Sequence, residues 1–231
     1  GEWRKIVERM GRWIDMDNDY KTMDPTFMES VWWVFKTLWD KGLIYEGKKV
    51  VPYSWRLTAP LSNFEASQNY KDVQDPSVYV LLAIEDSRFE KTALCIWTTT
   101  PWTLPSNLAV AIQKDSEKIT YGLYKLEKAQ AGCEQVIVAD FAAEKLGFTE
   151  RLREVKAAEL LNLPYKNLFD VFTRKEQPKA LRVLDGSHFV TVGDGTGLVH
   201  MAPAFGEEDF FTCQKEGIES EDPTNMNACF T

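Results

Sequence analysis

Three consecutive threonines followed by two prolines form the first segment of the sequence with chemical potential. It reads Trp-Thr-Thr-Thr-Pro-Trp-Thr-Leu-Pro-Ser-Asn at residues 97–107. Hydroxyl groups both donate and accept hydrogen bonds, so adjacent threonines could hold a water molecule and a sugar hydroxyl together. Pro101 and Pro105 fix the backbone angle φ and reduce the entropy lost when the loop becomes ordered. A β-branched strand that runs into a turn has the same composition, so both interpretations stay open.

The second segment reads Gly-Thr-Gly-Leu-Val-His-Met-Ala-Pro-Ala-Phe-Gly-Glu-Glu-Asp at residues 195–209. It predicts a strand that carries His200, a turn of small residues, and a helix with Asp209 near its start. Glycine and alanine leave room for a ligand to approach the backbone. Acidic residues also suit a helix N-terminus electrostatically, and Gly-x-Gly alone does not establish a nucleotide site. The segment by itself therefore predicts a site only weakly.

A helix is predicted upstream of both segments. Asp24 and Pro25 are typical of a helix start, as cap and first helical residue. Apolar residues follow at helical spacing as far as Trp39, and Gly42 predicts the end of the helix. We expect the aromatic face of this helix to be buried in a core.

Short strand-like runs dominate the rest of the chain. Residues 43–45 and 49–53 flank Glu-Gly-Lys and predict a hairpin. Further strands are predicted at residues 78–84, 92–98, 107–112, 119–124, 135–139, 181–184, 189–192 and 198–201, with helices near residues 142–146 and 155–161 and from residue 207 onward. Many short strands with few helices between them favour an α+β fold with a barrel-like sheet over a doubly wound parallel sheet.

Charge and cysteine content narrow the function classes. The net charge of −8 argues against a protein that grips nucleic acid tightly by itself, because phosphate binding depends on clustered lysine and arginine. The four cysteines lack the paired spacing of zinc or redox motifs, so we predict no metal, no cofactor and reduced thiols. The longest apolar run is too short to cross a bilayer, and we expect neither a membrane association nor a secretion signal.

Taken together, the two segments resemble signature sequences of the editing domain of isoleucyl-tRNA synthetases, which belong to the class I aminoacyl-tRNA synthetases. The sister domains for leucine and valine are similar, but there an arginine typically replaces the third threonine, here Thr100. Residues 60–65 also resemble this family, and so do residues 11–15, 27–33 and 69–77, the last in the form of its eukaryotic-type branch. The resemblance is weakest over residues 125–187.

The resemblance implies a β-barrel with peripheral helices, inserted into a larger aminoacylation domain. Residues 1–47 would be a helical connecting segment toward that domain, and residues 48–231 the editing domain, whose last part is expected beyond Thr231. The signature loops for aminoacyl-adenylate formation do not occur in this sequence. The ligase reaction is therefore expected in another part of the parent chain.

The resemblance also implies a reaction, the hydrolysis of the ester between valine and the terminal adenosine of isoleucine tRNA, with valyl-adenylate as a second candidate substrate. Asp209 would bind the substrate α-ammonium, His200 would limit the pocket so that isoleucine is excluded, and Trp102 would form a wall. Asn107 would brace the loop or touch the substrate. The implied catalytic residues are Thr98, Thr99, Thr100 and Asp209, and the implied substrate-binding residues are Trp102, Thr103, Asn107, His200 and Ala202.

The implied partners are the 3′ end of isoleucine tRNA mischarged with valine and the rest of the parent synthetase, in a cytoplasmic monomer. Two alternatives stay open. One is an inactive module that binds the tRNA acceptor end or aminoacyl-adenosine, and activity on mischarged tRNA distinguishes it. The other is an unrelated barrel-like hydrolase or interaction domain, which a metal requirement or turnover of simple esters would support.

Overall fold

The computed structural model describes residues 2–169, 177–193 and 195–230. Contacts between residues divide the chain into two compact units, Gly1–Lys49 and Val50–Thr231. Each unit is described by itself. No helix among the described residues is long and apolar enough to cross a membrane.

The first unit contains two helices, α1 (Glu2–Arg9) and α2 (Pro25–Asp40). Helix α2 confirms the predicted helix, with Asp24 at its N-cap and Pro25 as its first residue, although the Asp24 side chain makes no capping hydrogen bond. At the other end, Gly42 adopts a positive φ of 69°, and the Leu43 amide donates to the Leu38 carbonyl at 3.0 Å. Glycine ends the helix because only glycine adopts this conformation without a steric penalty.

The prediction that the aromatic face of α2 is buried was wrong. Helix α2 has no buried residue, and on the predicted face Trp32 is 68% and Trp39 58% exposed. Trp32 touches Phe35 of the same helix edge to face, with ring centroids 6.0 Å apart. A unit of this size has too little apolar surface of its own to cover a four-turn helix.

The second unit begins with a two-stranded ribbon, β1 (Tyr53–Ser54) and β2 (Ala59–Pro60), and the short helix α3 (Asn63–Ala66). The hairpin predicted from residues 43–45 and 49–53 was wrong, because the antiparallel pairing starts only at Tyr53, opposite Pro60. Pro52 has no N–H to give to a ladder, and its carbonyl accepts from the Leu61 amide at 2.8 Å.

The main sheet contains both parallel and antiparallel pairs, and the described residues form eight of its strands. They run in the order β8-β6-β7-β4-β10-β5-β9, and β3 pairs with β4 off this path. The strands are β3 (Val78–Ala83), β4 (Thr92–Thr98), β5 (Ala109–Ile112), β6 (Tyr121–Gln130), β7 (Cys133–Ala139), β8 (Arg151–Val155), β9 (Arg182–Asp185) and β10 (Leu198–Met201). Helices α4 (Asp140–Ala143), α5 (Ala157–Leu160) and α6 (Glu207–Lys215) accompany the sheet. The α+β class with a barrel-like sheet and peripheral helices is confirmed.

Strand β4 is shared by two parts of the sheet. On one side it pairs with β3 over residues 93–98. On the other side it runs parallel to β7 over Thr92–Leu94, and then parallel to β10 at the single pair Trp97 and Val199. The sheet therefore divides beside β4, with β7 along its start and β10 at its end.

The two faces of β4 pack against different apolar clusters. Leu94 and Ile96 belong to the larger cluster, whereas Ala93 and Cys95 belong to the smaller one. All four side chains are buried. A strand covered on both faces reads as a continuous apolar run, which is why its bounds could be predicted from the sequence.

Two further predictions fail locally. Residues 189–192 form no strand, because Phe189 and Val190 donate their amides to the Gly186 carbonyl in a tight turn. The Asp185 carboxylate caps this turn by accepting from Ser187. The helix predicted at residues 155–161 is shorter, because β8 occupies residues up to Val155. The other predicted strands of the sheet are confirmed, with shifts at their ends.

Gly197 precedes β10 where the chain passes very close to the end of β7. It has a φ of +78°, and a Cβ there would stand 2.4 Å from the Ala139 Cβ. Gly132 has a φ of +77° with nothing within 4 Å of such an atom. We expect Gly132→Ala to lower the free energy of unfolding by the roughly 1–2 kcal/mol of a left-handed residue, and Gly197→Ala to lower it further. Urea unfolding measures both, and equal losses would contradict the close contact.

Candidate functional site

A cavity of about 330 Å³ lies at the end of the sheet where β4 and β10 finish. Because these strands are parallel, their C-terminal ends lie at the same edge, so the segments that follow them meet there. The residues that line the cavity are Trp97, Thr98, Thr99, Thr100, Thr103, Val190, Thr191, Gly195, Thr196, Gly197, Leu198, Val199, His200, Ala202, Phe205, Gly206 and Asp209. Seven of the nine predicted site residues are among them, all except Trp102 and Asn107.

Three threonine hydroxyls form a connected cluster on one wall of the cavity. The Thr98 hydroxyl oxygen accepts from the Thr100 amide at 3.0 Å and lies 3.2 Å from the Thr100 hydroxyl. The Thr103 hydroxyl donates to the Thr100 carbonyl at 2.8 Å. The remaining contact, between the Thr100 and Thr103 hydroxyls, is 3.4 Å long. The contacts between hydroxyls exceed the usual O–H···O range, so a ligand oxygen could replace them.

His200 is buried beside this cluster, with both ring nitrogens hydrogen-bonded. Its Nε2 lies 2.9 Å from the Thr103 hydroxyl, and its Nδ1 lies 2.7 Å from the Asn107 amide nitrogen. Burial lowers the pKa of His200 to about 4, because a charged imidazolium would lose its hydration. The ring is therefore neutral at neutral pH and held at both ends.

Asn107 lies behind the cavity wall and does not line it. Its side chain is 1% exposed, and its amide nitrogen also donates to the Ala109 carbonyl at 3.0 Å. The amide oxygen accepts from the hydroxyl of Tyr165 at 2.5 Å. No motif indicates Tyr165, which lies in the segment where the resemblance is weakest.

Asp209 follows the turn after β10, in the first turn of α6. Its Oδ2 accepts from the Ala202 amide at 2.8 Å, and a Cβ on Gly206 would stand 2.8 Å from the same oxygen. Burial raises the pKa of Asp209, the Ala202 amide opposes that shift, and neighbouring Glu208 adds to it. In the part of the chain that the structure describes, no lysine or arginine pairs with this carboxylate, so a cation from outside could bind it.

Trp102 lies away from the cavity. It is 54% exposed and packs edge to face against Phe205, with ring centroids 5.0 Å apart. Phe205 itself lines the cavity, so Trp102 supports a lining residue without touching the space. Trp97 lines the cavity instead, and its ring limits the space beside Gly195, where a Cβ would stand 3.1 Å from it. The resemblance implied Trp102 as the wall, whereas the structure gives this place to Trp97 of the same segment.

No metal site is seen: the described residues contain no group of three or more His, Cys, Asp or Glu side chains that could hold an ion. Cys95 is a buried thiol whose pKa burial raises to about 12, and Cys133 and Cys213 are buried as well. These three behave as small apolar residues and lie outside the cavity.

The buried neutral His200 predicts that the protein loses stability in mild acid. The unfolded ring has a pKa near 6.5 and the folded ring near 4, so between these values the unfolded state binds more protons. Stability should therefore fall as the pH drops from 6.5 to 4. The raised pKa of Asp209 acts in the opposite sense, so the comparison needs His200→Gln, which should lose less stability over this window. Urea midpoints at pH 7, 5.5 and 4.5 measure both proteins, and parallel curves would contradict the assignment.

The sequence matches the family model of tRNA synthetases class I (I, L, M and V) over residues 1–203. The isoleucine–tRNA ligase of Bdellovibrio bacteriovorus is 46% identical over 100% of this chain, which corresponds to 21% of the relative. The cytoplasmic isoleucine–tRNA ligase of Saccharomyces cerevisiae is 47% identical over 98% of this chain and 21% of its own length. The cytoplasmic isoleucine–tRNA ligase of Mus musculus is 45% identical over 100% of this chain, which corresponds to 18% of the relative. The chain thus spans about a fifth of the length of these relatives.

Two solved structures illustrate what this chain is similar to in fold. The crystal structure of GlLeuRS-CP1 has a TM-score of 0.49 and 16% identity, covering 66% of this chain and 74% of that one. The Plasmodium knowlesi cytosolic leucyl-tRNA synthetase editing domain has a TM-score of 0.42 and 12% identity, covering 62% and 67%. The family that the two segments predicted is confirmed by the sequence match, and this chain belongs to the class I tRNA synthetases of the isoleucine, leucine, methionine and valine group.

Proposed function

We propose that this chain is an editing domain that hydrolyses the ester between valine and isoleucine tRNA. The observation that carries the proposal is the cavity itself, which joins a cluster of hydroxyls to a carboxylate without a cationic partner among the described residues. A mischarged aminoacyl ester has the complementary groups, an α-ammonium and a carbonyl next to a ribose. The high identity to isoleucine–tRNA ligases supports isoleucine tRNA as the carrier.

In this proposal Asp209 binds the α-ammonium of the substrate. The carboxylate already uses Oδ2 for the Ala202 amide, so the amide fixes its orientation and leaves Oδ1 for the ligand. Burial deprives the Asp209 carboxylate of water, which raises its pKa. A bound ammonium group would take the place of that water and stabilise the charged carboxylate. A hydrogen bond between charged groups of this kind contributes about 1.5–3 kcal/mol.

The hydroxyls of Thr98 and Thr100 would position the attacking water and the ester. Their present contacts with each other are long and easily replaced, whereas the Thr103 hydroxyl is committed to the Thr100 carbonyl. Hydrolysis by a positioned water requires orientation and stabilisation of the developing oxyanion, and needs no protein nucleophile. The neighbouring ribose hydroxyl would accept the proton of the water and pass its own proton to the ester oxygen that leaves, so that valine and a ribose with both hydroxyls free are the products.

His200 would set the upper size limit of the amino-acid pocket. Both of its ring nitrogens are bonded to buried partners, so the ring cannot turn aside for a larger side chain. A rigid limit is needed because an apolar pocket distinguishes two ligands that differ by one methylene by only about 1–3 kcal/mol. The discrimination between isoleucine and valine by isoleucyl-tRNA synthetases is the standard example of this range.

The remaining proposals concern the whole protein. Residues 1–47 would connect the editing domain, residues 48–231, to the aminoacylation domain of a longer chain. The 3′ end of the tRNA would be the ligand of the cavity, with valyl-adenylate as a second substrate. The cytoplasmic yeast and mouse relatives support the cytoplasm as location, and the parent enzyme would be a monomer.

Deacylation of Val-tRNA and Ile-tRNA by the chain tests the function. We expect rapid loss of valine and slow loss of isoleucine, without added metal. A folded chain that binds tRNA but releases neither amino acid would instead support an inactive acceptor-end module. Turnover of simple amino-acid esters that lack adenosine, at the rate of Val-tRNA, would overturn the proposal.

A further inference from the structure

The protons of the network behind the cavity can be assigned from its partners. The Asn107 amide nitrogen lies 3.0 Å from the Ala109 carbonyl and 2.7 Å from His200 Nδ1. An amide nitrogen carries two protons and no free acceptor site, so it donates to both. The Nδ1 atom is therefore an acceptor, and the single proton of the neutral ring is on Nε2.

The rest of the network agrees with this assignment. From Nε2 the proton is donated to the Thr103 hydroxyl oxygen at 2.9 Å, and the Thr103 hydroxyl donates onward to the Thr100 carbonyl at 2.8 Å. The hydrogen bonds thus run in one direction, from Tyr165 to Asn107, on to His200 and then to the threonine cluster. Reversing the amide of Asn107 would place its oxygen against the Ala109 carbonyl, which is a repulsive contact between two acceptors.

We propose that Tyr165 and Asn107 are positioning residues that hold His200 as its neutral Nε2–H tautomer, so that His200 acts as a hydrogen-bond donor and wall and not as a general base. The only nitrogen with a lone pair, Nδ1, is covered by the Asn107 amide. This inference deepens the proposed function, on which it rests for the meaning of the site.

Tyr165 secures the amide from its other side. Its side chain is fully buried, and its hydroxyl donates to the Asn107 oxygen at 2.5 Å. If the Tyr165 hydroxyl were removed, the buried Asn107 oxygen would lose this hydrogen bond. The energy difference between the observed and the reversed orientation of the amide would then become smaller. The Tyr165 hydroxyl therefore stabilises the orientation in which nitrogen faces the imidazole.

The two histidines of the chain make the tautomer directly measurable. In a protein labelled with ¹⁵N-histidine, long-range ¹H–¹⁵N correlation distinguishes a protonated from an unprotonated ring nitrogen. We expect Nδ1 of His200 to be unprotonated and Nε2 protonated at neutral pH. The nearly isosteric Asn107→Asp replaces the donor by an acceptor and should shift the proton to Nδ1, while the signals of His188 stay unchanged and report an intact fold.

Tyr165→Phe provides the second test, with Tyr124→Phe as its control. The Tyr124 hydroxyl bonds to Asp140 and takes no part in the network around His200. A net hydrogen bond corresponds to about a 2- to 13-fold effect, so we expect Tyr165→Phe to lower kcat for Val-tRNA by roughly that factor and Tyr124→Phe to leave it unchanged.

The outcomes separate the inference from the proposed function. A protonated Nδ1 in the unmodified protein, or an unchanged tautomer in Asn107→Asp, would overturn the inference whatever the activity. Equal losses of kcat in the two tyrosine variants would overturn the role of Tyr165. If the tautomers are as expected but Val-tRNA is not hydrolysed, the inference about His200 holds and the proposed function is wrong.

Discussion

Replacing Asp209 by asparagine should slow the hydrolysis of Val-tRNA by about 10- to 150-fold. The factor corresponds to the 1.5–3 kcal/mol of a hydrogen bond between charged groups. Asparagine is chosen over alanine because its amide oxygen can still accept from the Ala202 amide, as Oδ2 does at 2.8 Å. The substitution therefore removes the negative charge and keeps the contact that holds the turn after β10. Single-turnover deacylation measures the rate.

Two controls test whether the charge acts on the α-ammonium. Glu208 lies one residue earlier on α6 and contacts His188 at 3.3 Å on the surface, so Glu208→Gln should leave the rate nearly unchanged. N-acetyl-valyl-tRNA has no ammonium, so the unmodified protein should hydrolyse it slowly and Asp209→Asn should make little further difference. A full effect of Asp209→Asn on the acetylated substrate would show that the carboxylate acts elsewhere.

Replacing His200 by alanine should make Ile-tRNA a substrate. The buried ring is held by Thr103 on one side and Asn107 on the other, so it cannot yield to a larger side chain. Its removal leaves space for the additional methylene of isoleucine. We expect the preference for Val-tRNA over Ile-tRNA, measured as the ratio of kcat/KM, to fall by about 10- to 200-fold.

The matched substitutions are His200→Gln and His188→Ala. Glutamine is similar in length to histidine and can donate toward Thr103, so the preference for valine should largely persist. His188 lies outside the cavity lining, and its removal should change neither rate. If His200→Ala lowers both rates by the same factor and the preference persists, the ring supports the site but does not limit its size.

The parts of the fold that follow from local pattern could be predicted from the sequence. The bounds of β4 and β10 are those predicted, because both are apolar runs bordered by polar or small residues. Helix α2 was predicted from its proline start and glycine end. The hairpin at residues 43–53 failed because Tyr53 pairs with Pro60, further along the chain, and local alternation does not show which segment a strand pairs with.

The site was predictable only as far as its two segments reach. Both segments meet because β4 and β10 are parallel neighbours, and parallel pairing across such a distance in sequence leaves no local signal. Tyr165 could not be found because it acts through Asn107 from a segment without a recognisable motif. Trp102 was expected in the wall from the resemblance alone, but its ring packs against Phe205, and the tryptophan that lines the cavity is Trp97.

The bare aromatic face of α2 affects how this protein behaves in solution. Trp32, Trp33 and Trp39 all lie more than half exposed on one helix. Clustered apolar surface of this kind promotes association as concentration rises. Rates of the variants are therefore best compared in dilute solution, where collisions between helices are rare. A specific activity that falls with increasing protein concentration would be a property of this helix and would carry no information about the cavity.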